Sequence, residues 1–236
     1  MIISNSQKFV FVKTNKTAGS SIEGLLSSCL QSDDLVTRLP SDEEPIRLKF
    51  VASGSLKYLK GFHSHAPLSQ AHQSYPESRD YFSFGFIRNP FQRAISLFRW
   101  RNAKKIARLI EEHSDGGDAQ VLQIKLQRSF FKFMDSQGSQ LLIERGKDLL
   151  QSRSDSLTWS VNRIFRLEDL ESAITEIQTA VGVEIDFSKM PKFKSSVIRI
   201  PKGIDLWMDE TVALILERHR WEFDEFSYPS SPYTLS

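Results

Sequence analysis

Between residues 8 and 13 the chain reads KFVFVK, a short β-branched and aromatic run. It turns polar through Thr14, Asn15 and Lys16, and apolar residues then return at Ile22, Leu25, Leu26 and Leu30. An apolar run followed by helical spacing predicts strand, loop and helix. Residues 81–87 (YFSFGFI) repeat the pattern as a continuous apolar run, the mark of a buried strand, followed by Arg88, Asn89 and Pro90 and an amphipathic segment from Phe91. Pro90 suits a helix start, where its fixed φ and missing donor do no harm. Further strands are expected at 46–51 and 161–167, the second leading into a helix over about 168–181. Helical periodicity runs through 119–150 with breaks expected at Gly138 and Gly146, and a last helix is expected over about 205–220. Residues 37–45, 61–80 and 111–118 read as polar connections.

Strands alternating with helices predict right-handed βαβ units. The expected class is α/β, a three-layer sandwich with a central parallel sheet flanked by helices. With 236 residues and no linker composition, one domain over 1–236 is expected.

Composition narrows the class without choosing the function. The chain is 40% hydrophobic and 25% charged, which excludes a disordered or collagen-like protein. It has 31 basic and 29 acidic residues, a net charge of +2, so the chain as a whole does not read as a nucleic-acid or membrane-surface binder. Cys29 is the single cysteine, so neither an intrachain disulfide nor a cysteine-based zinc cluster forms, which suits a reducing cytosol. Residues 1–6 carry no signal-peptide pattern and no run approaches the roughly 18 apolar residues of a membrane span, so a cytoplasmic protein is expected. The near-neutral total hides a local imbalance. Acidic residues gather in 32–44 and 111–118, whereas 81–110 holds seven Lys and Arg and no Asp or Glu.

Two motifs stand where strands end. In the first, residues 13–21 (KTNKTAGSS), small residues lie between a strand and a helix, where backbone N–H groups and the positive end of the helix dipole converge on an anion. The lysine precedes the glycine, so the P-loop pattern is not met, and a serine-capped helix start with incidental lysines reads equally well from spacing alone. In the second motif, residues 88–96 (RNPFQRAIS), Arg88 at a strand end and Ser96 two helical turns on suit a phosphate clamp. Arg93 is expected to join Arg88 there. The other basic residues of this stretch read as a solvated helix face.

Residues 16–22 (KTAGSSI) resemble the 5'-phosphosulfate loop of the sulfotransferases. Residues 86–90 (FIRNP) through Arg93 and Ser96 resemble their 3'-phosphate motif, with the Arg-to-Ser spacing intact. Both occur in family order. Residues 165–170 (FRLEDL) resemble a further family segment, and 190–196 and 221–228 resemble the carbohydrate-type branch, which leaves 120–160 the least recognisable part.

The resemblance implies transfer of a sulfuryl group from 3'-phosphoadenosine 5'-phosphosulfate (PAPS) to a hydroxyl or amine, leaving 3'-phosphoadenosine 5'-phosphate (PAP), without a metal. The implied acceptor is a small molecule or glycan-like compound, with no nucleic-acid partner; oligomeric state stays open. Lys16, a cation at neutral pH, would stabilise the leaving oxygen. Thr17, Ala18, Gly19, Ser20 and Ser21 would bind the 5'-phosphate, and Arg88 and Ser96 the 3'-phosphate. Residues 64–68 (SHAPL) resemble the segment carrying the family's catalytic histidine, which makes His65 the candidate general base, with His63 or an acidic residue such as Glu23 in reserve.

Three positions depart from the pattern. Ala18 replaces the first loop glycine and is expected to need a negative φ; Leu167 stands where relatives place an adenine-contacting aromatic; Ser64 stands in place of a lysine. Lys192, Lys194, Arg199, Lys202 and Gly203 loosely resemble a loop closing over the 3'-phosphate. Phe62, Phe91, Trp100 and 120–160 are possible acceptor-pocket elements. Other readings are a P-loop-type kinase or nucleotidase, against which the missing Lys-Ser/Thr ending speaks, and a non-catalytic adenosine-bisphosphate or polyanion-binding module.

Overall fold

The computed structural model describes residues 1–51, 54–113, 118–146, 149–152, 157–191, 193 and 198–234. In chain order the elements are β1 (Ile2–Ser4), β2 (Phe9–Val12), α1 (Gly19–Leu26), β3 (Leu35–Val36), α2 (Glu44–Leu48), β4 (Lys57–Tyr58), α3 (Leu68–Ser74), β5 (Phe82–Ile87), α4 (Pro90–Arg101), α5 (Ala103–Glu111), α6 (Ala119–Phe133), α7 (Ser139–Gly146), β6 (Leu150–Ser152), β7 (Leu157–Trp159), β8 (Arg163–Arg166), α8 (Leu170–Val181), α9 (Asp209–Arg218) and α10 (Arg220–Phe226). They form two compact units, Met1–Arg88 with Arg145–Phe193, and Asn89–Glu144 with Lys194–Ser236.

The first unit holds a six-stranded sheet in the order β4-β3-β1-β2-β5-β8. β2, β5 and β8 run parallel, as do β3 and β4, whereas β1 is antiparallel to both its neighbours. The α/β class stands and the sheet is mixed. β1 and β2 are joined by a tight connection over residues 5–8, which only an antiparallel pair accommodates. Strand alternation builds the layers. Phe9, Phe11, Phe84, Phe86 and Phe165 pack with Ile22, Leu25 and Leu26 of α1 and Ala173, Ile174 and Ile177 of α8. Ile3, Val10 and Val12 pack with Leu68 and Ala71 of α3 and with Leu149. The rings of Phe11 and Phe84 lie 5.6 Å apart and those of Phe84 and Phe165 6.1 Å, so an aromatic ladder fixes the three parallel strands against one another. Gly85 is required by close approach, since a Cβ there would lie 2.3 Å from a Leu149 methyl.

Residues 46–51, expected as a strand, instead fall on and after the helix α2. Ile46 and Leu48 alternate but point outward at 38% and 41% exposure, while the fully buried Arg47 pairs with Glu44 and donates to the Thr37 carbonyl at 3.0 Å. Pro45 in the first helical turn and this buried guanidinium override the alternation. The connection 61–80 contains α3. The helix expected from 168 begins as a 3₁₀ turn, Leu167–Asp169, before α8, which ends at the left-handed Gly182.

In the second unit a π-helical segment, Met134–Gly138, carries α6 into α7, so Gly138 marks a change of winding, not a stop; its missing Cβ admits the Met134 sulfur, which would be 2.7 Å away. Gly146 closes α7. The final helical region breaks at the buried His219 into α9 and α10.

Candidate active site

β2 and β5 are parallel neighbours with Val12 opposite Gly85, so the loop from Lys13 and the end of β5 at Arg88 emerge side by side at one carboxyl edge. β8 ends there too, with Arg166 opposite Ile87. Open α/β sheets bind ligands at this edge. Thr14 Oγ1 donates to the Phe86 carbonyl at 2.5 Å, and Thr17 Oγ1 donates to the Thr14 carbonyl at 3.2 Å, so the loop is laced to β5 by buried hydroxyls.

The loop backbone is left-handed at Lys16 (φ 62°) and at Ala18 (φ 56°, ψ 23°). The negative φ expected at Ala18 is therefore corrected. The chain turns from β2 into α1 over residues 13–18, and a left-handed residue at the N-cap makes that turn; Ala18 is exposed, so its Cβ meets solvent. An L-residue there costs about 1–2 kcal/mol, which the surrounding packing sustains. Accordingly Ala18→Gly is expected to keep the fold and gain up to about 1 kcal/mol, whereas Ala18→Val, β-branched at positive φ, loses about 2 kcal/mol. Denaturant midpoints of the two variants check this.

Ala18 brings no side-chain cap, and the first turn of α1 holds no acidic residue. The N–H groups of Gly19, Ser20 and Ser21 thus open an electropositive helix end with no carboxylate competing for it.

Beneath the loop lies a buried ionic cluster. Lys13 Nζ donates to Glu23 Oε2 at 2.8 Å and to Ser20 Oγ at 3.1 Å, and the Met1 amino group donates to Glu23 Oε1 at 2.5 Å and to Thr37 Oγ1 at 2.7 Å. Burial pushes the Glu23 carboxyl upward, but Lys13, followed by the Met1 amino group, overcomes it and holds the acid at about 2. A carboxylate so buried and paired cannot serve as the general base, which removes Glu23 from the reserve. Gly19 leaves room for the lysine stem: a Cβ there would sit 2.6 Å from Lys13 Cγ.

His65 lies in the turn before α3, half-buried, with Nδ1 2.9 Å from the Lys13 carbonyl. A carbonyl only accepts, so Nδ1 carries the proton and Nε2 is the basic nitrogen of the neutral ring. The His65 N–H donates to His63 Nδ1 at 3.2 Å, and the two rings stand 5.6 Å apart with His63 exposed. Thus Lys16, the loop 17–21, His65 and Arg88 all belong to the first unit.

Ser96 lies on α4 in the second unit, half-buried. Arg93 does not present itself to an anion. It is 2% exposed and donates to Glu222 Oε1 at 3.1 Å and to the Leu142 carbonyl at 3.2 Å, because its place on α4 faces that unit's core. Phe91 is core as well, with its ring 5.2 Å from Trp207 and 5.1 Å from Phe223. Phe62 leans on Tyr75 at 6.1 Å, and Trp100 is exposed beside the Arg101 guanidinium. Leu167 packs against the core under α8. Lys192 and Lys194 lie outside the described residues, as do residues 147–148 and 153–156 of the 120–160 stretch and 114–117 of the acidic connection; Arg199 and Lys202 are exposed. The Lys13 side chain and its carboxylate partner were not legible as a unit in the sequence, where ten residues separate them; the one available signal was a lysine directly after an apolar strand and a glutamate beside Ile22, ahead of Leu25 and Leu26.

No helix among the described residues is long and apolar enough to cross a membrane. No curated protein and no solved structure matches the chain. A family model described as the sulfotransferase family matches residues 1–228, which takes in both units and both strand-end motifs. With the α/β sheet and its anion-suited edge, that match over nearly the whole length places the chain in the sulfotransferase family.

Proposed function

We propose that the protein transfers a sulfuryl group from PAPS to a hydroxyl or amine of a small-molecule or glycan-like acceptor, releasing PAP, in line and without a metal. The observation that carries this reading is the convergence of the 13–21 loop, Arg88 and His65 on one edge of the first unit's sheet. The family match across both units supports treating 1–236 as one functional domain. A phosphate fits the loop chemically, because that helix end offers amides, hydroxyls and no carboxylate.

The donor supplies the sulfuryl group and, in its bridging phosphate oxygen, the leaving group. Thr17 to Ser21 hold the 5'-phosphate through backbone amides and the serine hydroxyls, and the Lys16 ammonium neutralises or protonates the oxygen on which charge develops. Arg88 takes the 3'-phosphate with its planar fork, and Ser96 is assigned to the same group by its spacing from Arg88 in the sequence motif. His65 accepts the acceptor's hydroxyl proton at Nε2, with the Lys13 carbonyl keeping the ring in the tautomer this requires.

His65→Ala is expected to lower kcat by about 10²–10⁴ with PAP affinity unchanged within about twofold. Steady-state rates with labelled PAPS and titration of PAP test it, and full retention of kcat removes His65 from the role. A cytoplasmic location remains part of this reading and is tested by fractionation of the producing cell.

A further inference from the structure

Lys13 lies outside the segment that resembles the family loop, yet it touches both halves of the site. Its ammonium is 3.1 Å from Ser20 Oγ and 2.8 Å from Glu23 Oε2, with the side chain only 7% exposed, and its carbonyl accepts from His65 Nδ1 at 2.9 Å. An ammonium has three donors and no acceptor capacity. At Ser20, therefore, the serine oxygen accepts and the hydroxyl proton is turned away from Lys13. Ser20 is the second residue of α1, at the helix end where Gly19 and Ser21 offer their amides.

We infer that Lys13 is a positioning residue for sulfuryl transfer: it fixes the Ser20 hydroxyl as a donor toward the 5'-phosphate, and Glu23 holds the ammonium in place to do so. The inference rests on the reading that residues 16–21 bind the 5'-phosphate. Glu23 neutralises the lysine, so its role is orientation at Ser20, whereas Lys16 supplies net charge. Gly19, with no Cβ to strike the lysine stem, is what lets the side chain pass beneath the loop.

The experiment is a double-mutant cycle on PAP binding, read by calorimetry. Lys13→Met and Ser20→Ala are each expected to weaken PAP about tenfold, and the double variant no more than either alone, because the lysine acts through the serine. Affinity for 3'-AMP, which lacks the 5'-phosphate, is expected to stay within twofold of the parent in all three. Lys13→Met strands a buried carboxylate, so the same cycle is run in a Glu23→Gln background, where both charges are removed together and the fold survives.

Additive losses, or equal losses for PAP and 3'-AMP, overturn the inference and make Lys13 a structural residue or a direct charge on the ligand. A parent protein that does not bind PAP overturns the proposed function along with it. PAP binding with an additive cycle overturns the Lys13 role alone.

Discussion

Lys16→Ala lowers kcat for sulfuryl transfer by about 10²–10³ while the protein keeps its fold. The magnitude follows from removing one preorganised charge from the atom where charge develops, a loss of about 3–4 kcal/mol in the barrier. Its selectivity follows from where Lys16 sits. The residue is half-exposed at the turn of the loop, with its backbone left-handed at φ 62°, so truncating the side chain removes no core packing. The ground-state donor carries its charge spread over the phosphosulfate, whereas the departing oxygen gathers it, and PAP affinity is therefore expected to fall by less than tenfold. Initial rates, PAP titration and a melting curve on one preparation separate these effects. A kcat within threefold of the parent would remove Lys16 from the leaving-group role.

Glu23→Ala is expected to have the largest effect on stability. The carboxylate is fully buried and is the partner shared by Lys13 and the Met1 amino group. Removing it leaves the buried Lys13 charge without its counterion, which costs about 3–5 kcal/mol and lowers the melting midpoint by roughly 10 °C for a chain of this length. The pH dependence follows from the same geometry. The folded-state acid sits at about 2, well below the 4.5 of an ordinary glutamate, so the unfolded chain binds the extra proton as the pH falls. Stability from this group is therefore complete above about pH 5 and disappears progressively between there and pH 2. Urea midpoints from pH 7 to pH 3 test this, with the parent losing stability through the window and the Glu23→Gln variant showing a shallower slope.

The two predictions rest on residues of different legibility. Lys16 could be picked out because the loop chemistry of small residues at a strand-to-helix turn is local, and local signals survive in one sequence. The strands β2 and β5 were legible for the same reason: KFVFVK and YFSFGFI are continuous, largely apolar runs, buried at every residue of β2 and at all but Phe82 of β5. Glu23 was legible only as an acid within an apolar helix, since its charge is explained by residues 10 and 22 positions away in the chain. Arg93 misled by its place beside Arg88 just after a strand end, because burial on the inner face of α4 against Glu222, 129 residues on, is a tertiary fact. The segment 46–51 misled by alternation, which Pro45 and the buried Arg47 overrode. At Ala18 the penalty on L-residues points to a negative φ, and the turn that demands the other hand is visible only in the folded chain. The short strands β1, β3 and β4 span two or three residues, too few for a period-2 pattern to register.

Sulfuryl transfer itself is tested most directly by incubating the protein with PAPS and a mixed panel of hydroxyl- and amine-bearing metabolites, with products read by the mass gain of one SO₃ group. The parent protein is expected to form a sulfated product together with an equivalent of PAP, and Lys16→Ala to form it at least about a hundredfold more slowly. Tight PAP binding with no sulfated product from any acceptor, or magnesium-dependent phosphoryl transfer from ATP in its place, would contradict sulfuryl transfer.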